Sequence, residues 1–437
     1  MTAIDTSAQF TETLQSPRRI RTIRYETLLR WVFAAFIFTG CIAIIEPSPY
    51  DLLSLMFLPL LAFSGFKIYH LHVPILVLWL LYLIAGFAAL MPHWGEIDPT
   101  MFQFQSLYLI ITFVMFLLFL SQNSEERSEL ALKAFTAGCI LSAIIGLAGF
   151  LDVAGLKATR TAYEGRVNGL FKDPNVFGSY MILGAVYLLQ LLVLDLTRKK
   201  LLTAFGLVLV MTGIFLSFSR GSIAATIFAS GMIILLGFLT CGSSRIRRRI
   251  MLSILVGLAA IAIAAAIALS IETVRTLIEL RFNPVQEYDG GHTGRFGNQL
   301  RSIPMMLDLP NGFGPLRFRL TFDLDPHSSY INAFASYGWL GGFSWFVIVG
   351  MTCLIGFRLM IVASPYRRLA QVWFSALFVL LVQAFQIDID HWRWIFLCFA
   401  AVWALETARV RWLATQALAG HAHESRLRPD RPTQNPA

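Results

Sequence analysis

The run Phe104-Gln105-Ser106-Leu107-Tyr108-Leu109-Ile110-Ile111-Thr112-Phe113-Val114-Met115-Phe116-Leu117-Leu118-Phe119-Leu120 carries no charged side chain over 17 residues. As a helix it would extend roughly 25 Å, close to the ~30 Å hydrocarbon core of a bilayer. Similar runs begin near Trp31, Asp51, Pro74, Ala131, Pro174, Leu201, Gly221, Met251, Tyr337, Ala370 and Trp394. With Phe104 they divide the chain into about twelve apolar segments. Of the 437 residues 57% are hydrophobic and 14% charged, against roughly 45–50% and 25% in a soluble domain. A water-soluble fold is excluded, and the alternating pattern of a membrane barrel is missing. The sequence predicts an all-α fold, a polytopic membrane bundle of about twelve transmembrane helices with one large external loop subdomain.

Lys and Arg fall in alternate loops. If the N-terminal cluster (Arg18, Arg19, Arg21, Arg24, Arg30) is cytoplasmic, so are Lys67, Arg127, Arg198-Lys199-Lys200, Arg245 with Arg247-Arg248-Arg249, Arg358 with Arg367-Arg368, and the tail from Arg409 onward. That placement satisfies the positive-inside rule throughout. It divides the chain into a basic cytoplasmic N-terminus (1–30), helices one to nine (31–270), a long external loop (271–336), helices ten to twelve (337–410) and a basic cytoplasmic tail (411–437). The stretch Phe38-Thr39-Gly40-Cys41 imitates a lipoprotein cleavage site but lies deep in the chain, and reads as part of an uncleaved first span.

The net charge of +9 is taken up by those loops and does not point to nucleic acid. Five cysteines lie in or beside apolar runs without metal-ligand or CxxC spacing, so neither a disulfide framework nor a metal site is expected.

External loops should be poor in arginine, which singles out Arg166, Arg220, Arg295, Arg301, Arg317 and Arg319. Arg220, in Leu216-Ser217-Phe218-Ser219-Arg220-Gly221-Ser222, has almost no loop around it. It either snorkels to headgroups or pairs with an anion at the bundle. Arg166 opens a segment running to Lys172-Asp173-Pro174-Asn175, which reads either as a capped entry to the next helix or as a cation-bearing turn. His327, in Asp325-Pro326-His327-Ser328-Ser329-Tyr330, is a surface histidine or a base able to take a proton from a hydroxyl near neutral pH. Asp323-x-Asp325 reads as solvated loop, with orientation of His327 as its functional alternative. Asp388-x-Asp390, which like Asp323-x-Asp325 imitates a metal motif, precedes His391-Trp392-Arg393-Trp394, and that stretch reads as an interfacial anchor with sugar stacking as its alternative.

His327-Ser328, nine residues, and Gly338-Trp339-Leu340-Gly341-Gly342 resemble the signature of the O-antigen ligase family. Arg166 to Asn175, Ser219-Arg220-Gly221, Gly294-Arg295 and Leu309-Pro310-Asn311-Gly312-Phe313-Gly314 resemble further elements of the same superfamily, in order, over roughly residues 160 to 350. One element departs: Arg295 is followed four residues later by Gln299, with Leu300 one position late. Arg295 follows Gly294 as the superfamily pattern suggests and is preferred, with Arg301 the alternative.

The resemblance implies a multi-pass protein of the bacterial inner membrane, with both termini cytoplasmic and the long loop periplasmic. It implies transfer of a glycan from a polyprenyl-diphosphate carrier to a sugar hydroxyl, on another lipid-linked repeat unit or on lipid A core, in O-antigen or exopolysaccharide synthesis. His327 would be the base, and Arg220 and Arg295 would clamp the diphosphate. Arg166, Asn175, Arg301 and Ser328 would contact substrate. No cofactor, ATP, metal or nucleic acid is implied. Partners would be the two glycan substrates, membrane lipid, and polysaccharide export or chain-length proteins. The competing reading is a twelve-span secondary transporter or flippase for lipid-linked sugars. It rests on span count alone and finds neither two similar halves nor charges within most spans.

Overall fold

The computed structural model describes residues 25–162, 165–281 and 291–427. The expected basic residues Arg18, Arg19, Arg21 and Arg24, and the part of the tail at 428–437, lie outside the described residues. The chain folds in order into α1 (residues 25–39), α2 (Pro49–Phe63), α3 (Val73–Leu90), α4 (Ile97–Leu120), α5 (Ser124–Phe150), α6 (Lys157–Arg160), α7 (Pro174–Val193), α8 (Lys200–Leu216), α9 (Arg220–Thr240), α10 (Ser244–Ser270), α11 (Glu272–Arg281), α12 (Arg295–Leu307), α13 (Phe318–Phe322), α14 (Ser329–Ile361), α15 (Arg367–Gln383) and α16 (Arg393–Leu427). No strand occurs among the described residues beyond one isolated bridge between Thr161 and Val167.

Each expected apolar segment falls on a helix. Seven helical stretches are long and apolar enough to cross a membrane, among them Ile97–Leu120, Pro174–Val193 and Ser329–Ile361, while Pro49–Phe63 and Lys200–Leu216 are shorter apolar helices. The helices outrun the hydropathy signal because their first turns are polar. α4 starts at Ile97, α5 at Ser124 and α10 at Ser244, each about two turns before its apolar run.

The largest such difference is α14. Its apolar stretch begins near Tyr337, but Ser328 caps a helix that already runs from Ser329. The segment expected to end the long loop is therefore the first two turns of this helix. Gly338 interrupts the helix with φ +63 and ψ −163, a region that glycine alone enters without strain. The Pro310 carbonyl accepts the Trp339 N–H there at 2.8 Å, and the Ala335 carbonyl accepts from Phe313 at 2.7 Å. The rest of the long loop holds α11, α12 and α13, and Met306, Phe318 and Phe322 pack with Ala335 of α14 into a small second core.

In the bundle α3 packs along α14, α16 along α4, and α7 against α5, α8 and α9, while α15 lies among α7, α9, α14 and α16. α15 is only 17 residues long, and nearly every side chain from Leu369 to Leu381 is buried. A helix lined by protein on all sides need not match the lipid thickness.

One end of the bundle ties basic loops to one another. Arg30 pairs with Glu126, Arg127 with Glu26 at 2.8 Å, and Arg368 with Glu129 at 3.6 Å. Arg367 donates to the Thr240 carbonyl at 3.2 Å and Arg411 to that of Ser121 at 3.1 Å. The opposite end gathers the candidate residues.

Candidate functional site

At that end the α7 and α9 helix starts are built from short polar side chains. Asp173 caps α7, its Oδ1 accepting from the Asn175 and Val176 N–H groups at 2.7 and 3.2 Å. Ser219 caps α9 by accepting from Ser222 N–H at 3.3 Å, which puts Arg220 in the first turn of that helix. Arg166 staples the two. Its Nε donates to the Ser217 carbonyl at 2.9 Å and its Nη2 to Asn175 Oδ1 at 2.9 Å. Both segments singled out in the sequence thus meet, through the Arg166 bond to Ser217 and the Ser222 hydroxyl donating to the Asn175 carbonyl at 3.3 Å.

The connection between α15 and α16, residues 384–392, is the common floor. A Cβ on Gly221 would lie 2.9 Å from Gln383 Nε2 and 3.4 Å from Gln386 Nε2, so the Arg220 turn presses directly on it. Arg295, first residue of α12, donates from Nη1 to the Gln386 carbonyl at 3.1 Å. Asp388 Oδ2 accepts the His327 N–H at 3.0 Å, and the Ala384 carbonyl accepts from Ser329 N–H at 2.9 Å. The Gly221 backbone next to Arg220, the Arg295 guanidinium and the His327 backbone, far apart in sequence, therefore rest on one short stretch of chain.

His327 is half-buried and left-handed, with φ +48. Gln299 Nε2 donates to the Pro326 carbonyl at 2.8 Å and to that of His327 at 3.3 Å, so the residue that breaks the expected Arg-to-Leu spacing holds the His327 turn. Arg301 goes elsewhere. Its Nη2 donates to Asn298 Oδ1 at 2.5 Å and its guanidinium lies over the Phe322 ring, 5.4 Å from the centroid. Ser328 is 2% exposed and its hydroxyl accepts from Ile331 N–H at 3.4 Å, capping α14.

Asp325 pairs with Arg319 at 3.3 Å, and it is Asp388 that accepts the His327 backbone N–H. Trp392 and Trp394 are neither an interfacial anchor nor a sugar platform, because they stack on each other at 5.0 Å and are 8% and 6% exposed, with Trp394 against Tyr180. Asp388-x-Asp390 stands just before these buried tryptophans. Burial pushes the Asp388 carboxyl well above the ordinary carboxylate value, and its Oδ1 has no hydrogen-bond partner among the described residues. Sequence reading undervalued Gln383, Gln386, Asp388 and Asp390. The signal was there, since these aspartates are the first charges after Arg368 in an otherwise uncharged stretch.

Among the described residues no group of three or more His, Cys, Asp or Glu side chains could hold a metal ion. What the end of the bundle offers is a half-buried imidazole, several guanidinium groups and helix starts, the inventory for moving a proton and meeting an anion. No curated protein matches the chain. Residues 205–346, which run from α8 into α14 and contain Arg220, Arg295, Arg301 and His327, match the family model of O-antigen ligase, a match that supports the O-antigen ligase/polymerase superfamily and with it a glycosyl-transferring membrane enzyme.

Proposed function

We propose that this protein transfers a glycan from a polyprenyl-diphosphate carrier to a sugar hydroxyl at the outer face of the bacterial inner membrane, as an O-antigen ligase or polymerase. The acceptor is lipid A core in the first case and a lipid-linked repeat unit in the second. The chain crosses the membrane twelve times with both termini cytoplasmic, which leaves the 271–336 segment periplasmic. The observation that carries the reading is the convergence of Arg220, Arg295 and His327 on the Gln383–Asp390 stretch.

In the reaction the acceptor oxygen attacks the anomeric carbon of the donor sugar. The bond from that carbon to the diphosphate oxygen breaks, the hydroxyl proton passes to the His327 imidazole, and polyprenyl diphosphate leaves. General-base assistance of this kind contributes typically about 10²–10⁴ in rate. Arg220 and Arg295 meet the charge that grows on the diphosphate, where planar guanidinium suits paired oxygens better than a lysine ammonium. Arg166 and Asn175 hold the Arg220 turn and line the approach.

The test is transfer by purified protein from a polyprenyl-diphosphate glycan, with and without lipid A core, alongside the polysaccharide of a strain lacking the protein. His327→Ala and Arg220→Ala are expected to insert and melt as wild type and to lose transfer. Long chains left on the carrier lipid in the deletion strain mark a ligase, and a single repeat on lipid A core marks a polymerase. Normal polymer in either variant would defeat the proposal.

A further inference from the structure

His391 is enclosed just below the His327 turn. Its ring stacks on Phe102, 3.9 Å between centroids at 30°, and both nitrogens are engaged. Nδ1 lies 2.9 Å from Asp390 Oδ2 and Nε2 2.9 Å from Ser106 Oγ of α4. A carboxylate only accepts, so Nδ1 carries hydrogen and the ring is held in one orientation. Ser106 Oγ is in turn 2.8 Å from the Tyr337 hydroxyl, next to the Gly338 interruption of α14.

On its other side Asp390 reaches the residues that follow His327. It is 5% exposed, and its Oδ1 accepts from the Ser329 hydroxyl at 3.2 Å while Oδ2 accepts from Asn332 Nδ2 at 3.0 Å. Ser329 Oγ also accepts the Ile389 N–H at 2.6 Å, so this one hydroxyl joins the start of α14 to the stretch that carries Asp388. Burial raises the Asp390 carboxyl, but His391 and the Ser329 hydroxyl outweigh it and leave the group below the ordinary carboxylate value. A buried anion so fully bonded fixes its partners firmly, because each would lose a charge-assisted bond on moving away.

The His327 turn needs such fixing. A non-glycine residue at positive φ costs of order 1–3 kcal/mol and persists only where its surroundings hold it. Two of the holding bonds, from His327 N–H to Asp388 and from Ser329 N–H to Ala384, end on the connection that Asp390 pins.

We propose that Asp390 and His391 act as a positioning pair for the reaction, holding His327 in its left-handed turn through Ser329 and Asn332 and tying that turn to α4 through Ser106. Neither residue touches substrate. The proposal rests on the glycan-transfer reading for its kinetic part.

The experiment compares wild type, Asp390→Asn, His391→Phe and His391→Asn as full chains in detergent, by amide hydrogen exchange and by steady-state transfer. Asp390→Asn keeps the side-chain volume and removes the charge. His391→Phe keeps the stacking on Phe102 and removes the donor, while His391→Asn keeps a donor where Nδ1 stands. Asp390→Asn and His391→Phe are expected to speed exchange of the 327–332 amides about tenfold or more, as for loss of one charge-assisted bond, with the α15 interior unchanged. Their kcat should fall by about the same factor while KM for the donor stays within roughly twofold. His391→Asn should recover most of both.

Unchanged exchange in Asp390→Asn overturns the proposal. So does faster exchange throughout the bundle in all three variants, or faster local exchange with wild-type kcat. If the wild type transfers nothing from a lipid-linked donor, the functional reading falls, and the exchange measurements and the His391→Asn recovery still decide whether the pair positions His327.

Discussion

Arg295 and Arg301 lie on the same helix and invite the same role, yet their surroundings give them different consequences for transfer when removed. Arg295 leaves the helix start and reaches the Gln386 carbonyl beside the Arg220 turn. Arg301 lies over Phe322 and donates to Asn298, whose Nδ2 donates to the Phe322 carbonyl at 3.0 Å. If Arg295 clamps diphosphate, its loss removes one or two charge-assisted bonds at about 1.5–3 kcal/mol each. That predicts transfer lower by roughly tenfold to more than a hundredfold, on top of a melting change comparable to that of Arg301→Ala from the lost Gln386 bond and the contact over Phe296 at 4.9 Å. Loss of Arg301 removes a charge-assisted bond and a cation–π contact of about 0.5–1 kcal/mol from the small core that seats α13. Arg301→Ala should therefore melt earlier, with specific activity retained in the folded fraction. The assay is donor-to-acceptor transfer per folded molecule, paired with a thermal melt in detergent. Arg301→Ala that melts as wild type and transfers nothing, together with an active Arg295→Ala, would refute the assignment.

Gly338→Ala should be destabilising out of proportion to one methyl group. The new Cβ would sit 2.1 Å from the Pro310 carbonyl at φ +63, so backbone strain of about 1–3 kcal/mol adds to the loss of the Trp339 to Pro310 bond. A wild-type melt would show that α14 has no fixed interruption there. Asp388 gives a pH prediction. A carboxyl raised in the folded chain contributes stability that is complete at acid pH and is lost as pH climbs through the raised value. Asp388→Asn, neutral at every pH, should match wild type in acid and out-melt it in alkali; parallel melting curves at all pH values would argue against a raised carboxyl.

The bundle was legible because lipid imposes a crude demand: a helix with no charge over its middle, as Phe104 to Leu120 shows. The start of α14 was not, because Ser329 to Ser336 mixes Tyr330, Ile331 and Phe334 with Ser329, Asn332 and Ser336 and shows no hydropathy edge, while its first turn is set by the Ser328 cap and the Ser329 N–H bond to Ala384. The Arg220 turn and the Arg166 segment could be singled out from local composition. That they bond each other, Arg166 to Ser217 and Ser222 to the Asn175 carbonyl, is tertiary and left no trace in spacing. Asp388 shows the same limit. Its partner His327 lies 61 positions earlier, and the two tryptophans that follow look like an anchor until they prove to be buried. Gln299 was noticed only as a departure from a pattern, yet it holds the histidine that the pattern points to.

The ion pairs at the basic end bear on how this chain acquires its topology. An arginine in a short loop steers insertion while it is unpaired and close to lipid. After assembly Arg127 is 4% exposed, closed on Glu26 and stacked over Phe119. With the basic end cytoplasmic, as proposed, the residue is read twice, first as a signpost and then as a rivet. Reversing its charge to test orientation would also unfasten α1 from α5, so a misplaced reporter in that mutant would confound lost steering with lost assembly. Exposed Lys67, for which no ion pair is seen among the described residues, is the cleaner position at which to ask the orientation question alone.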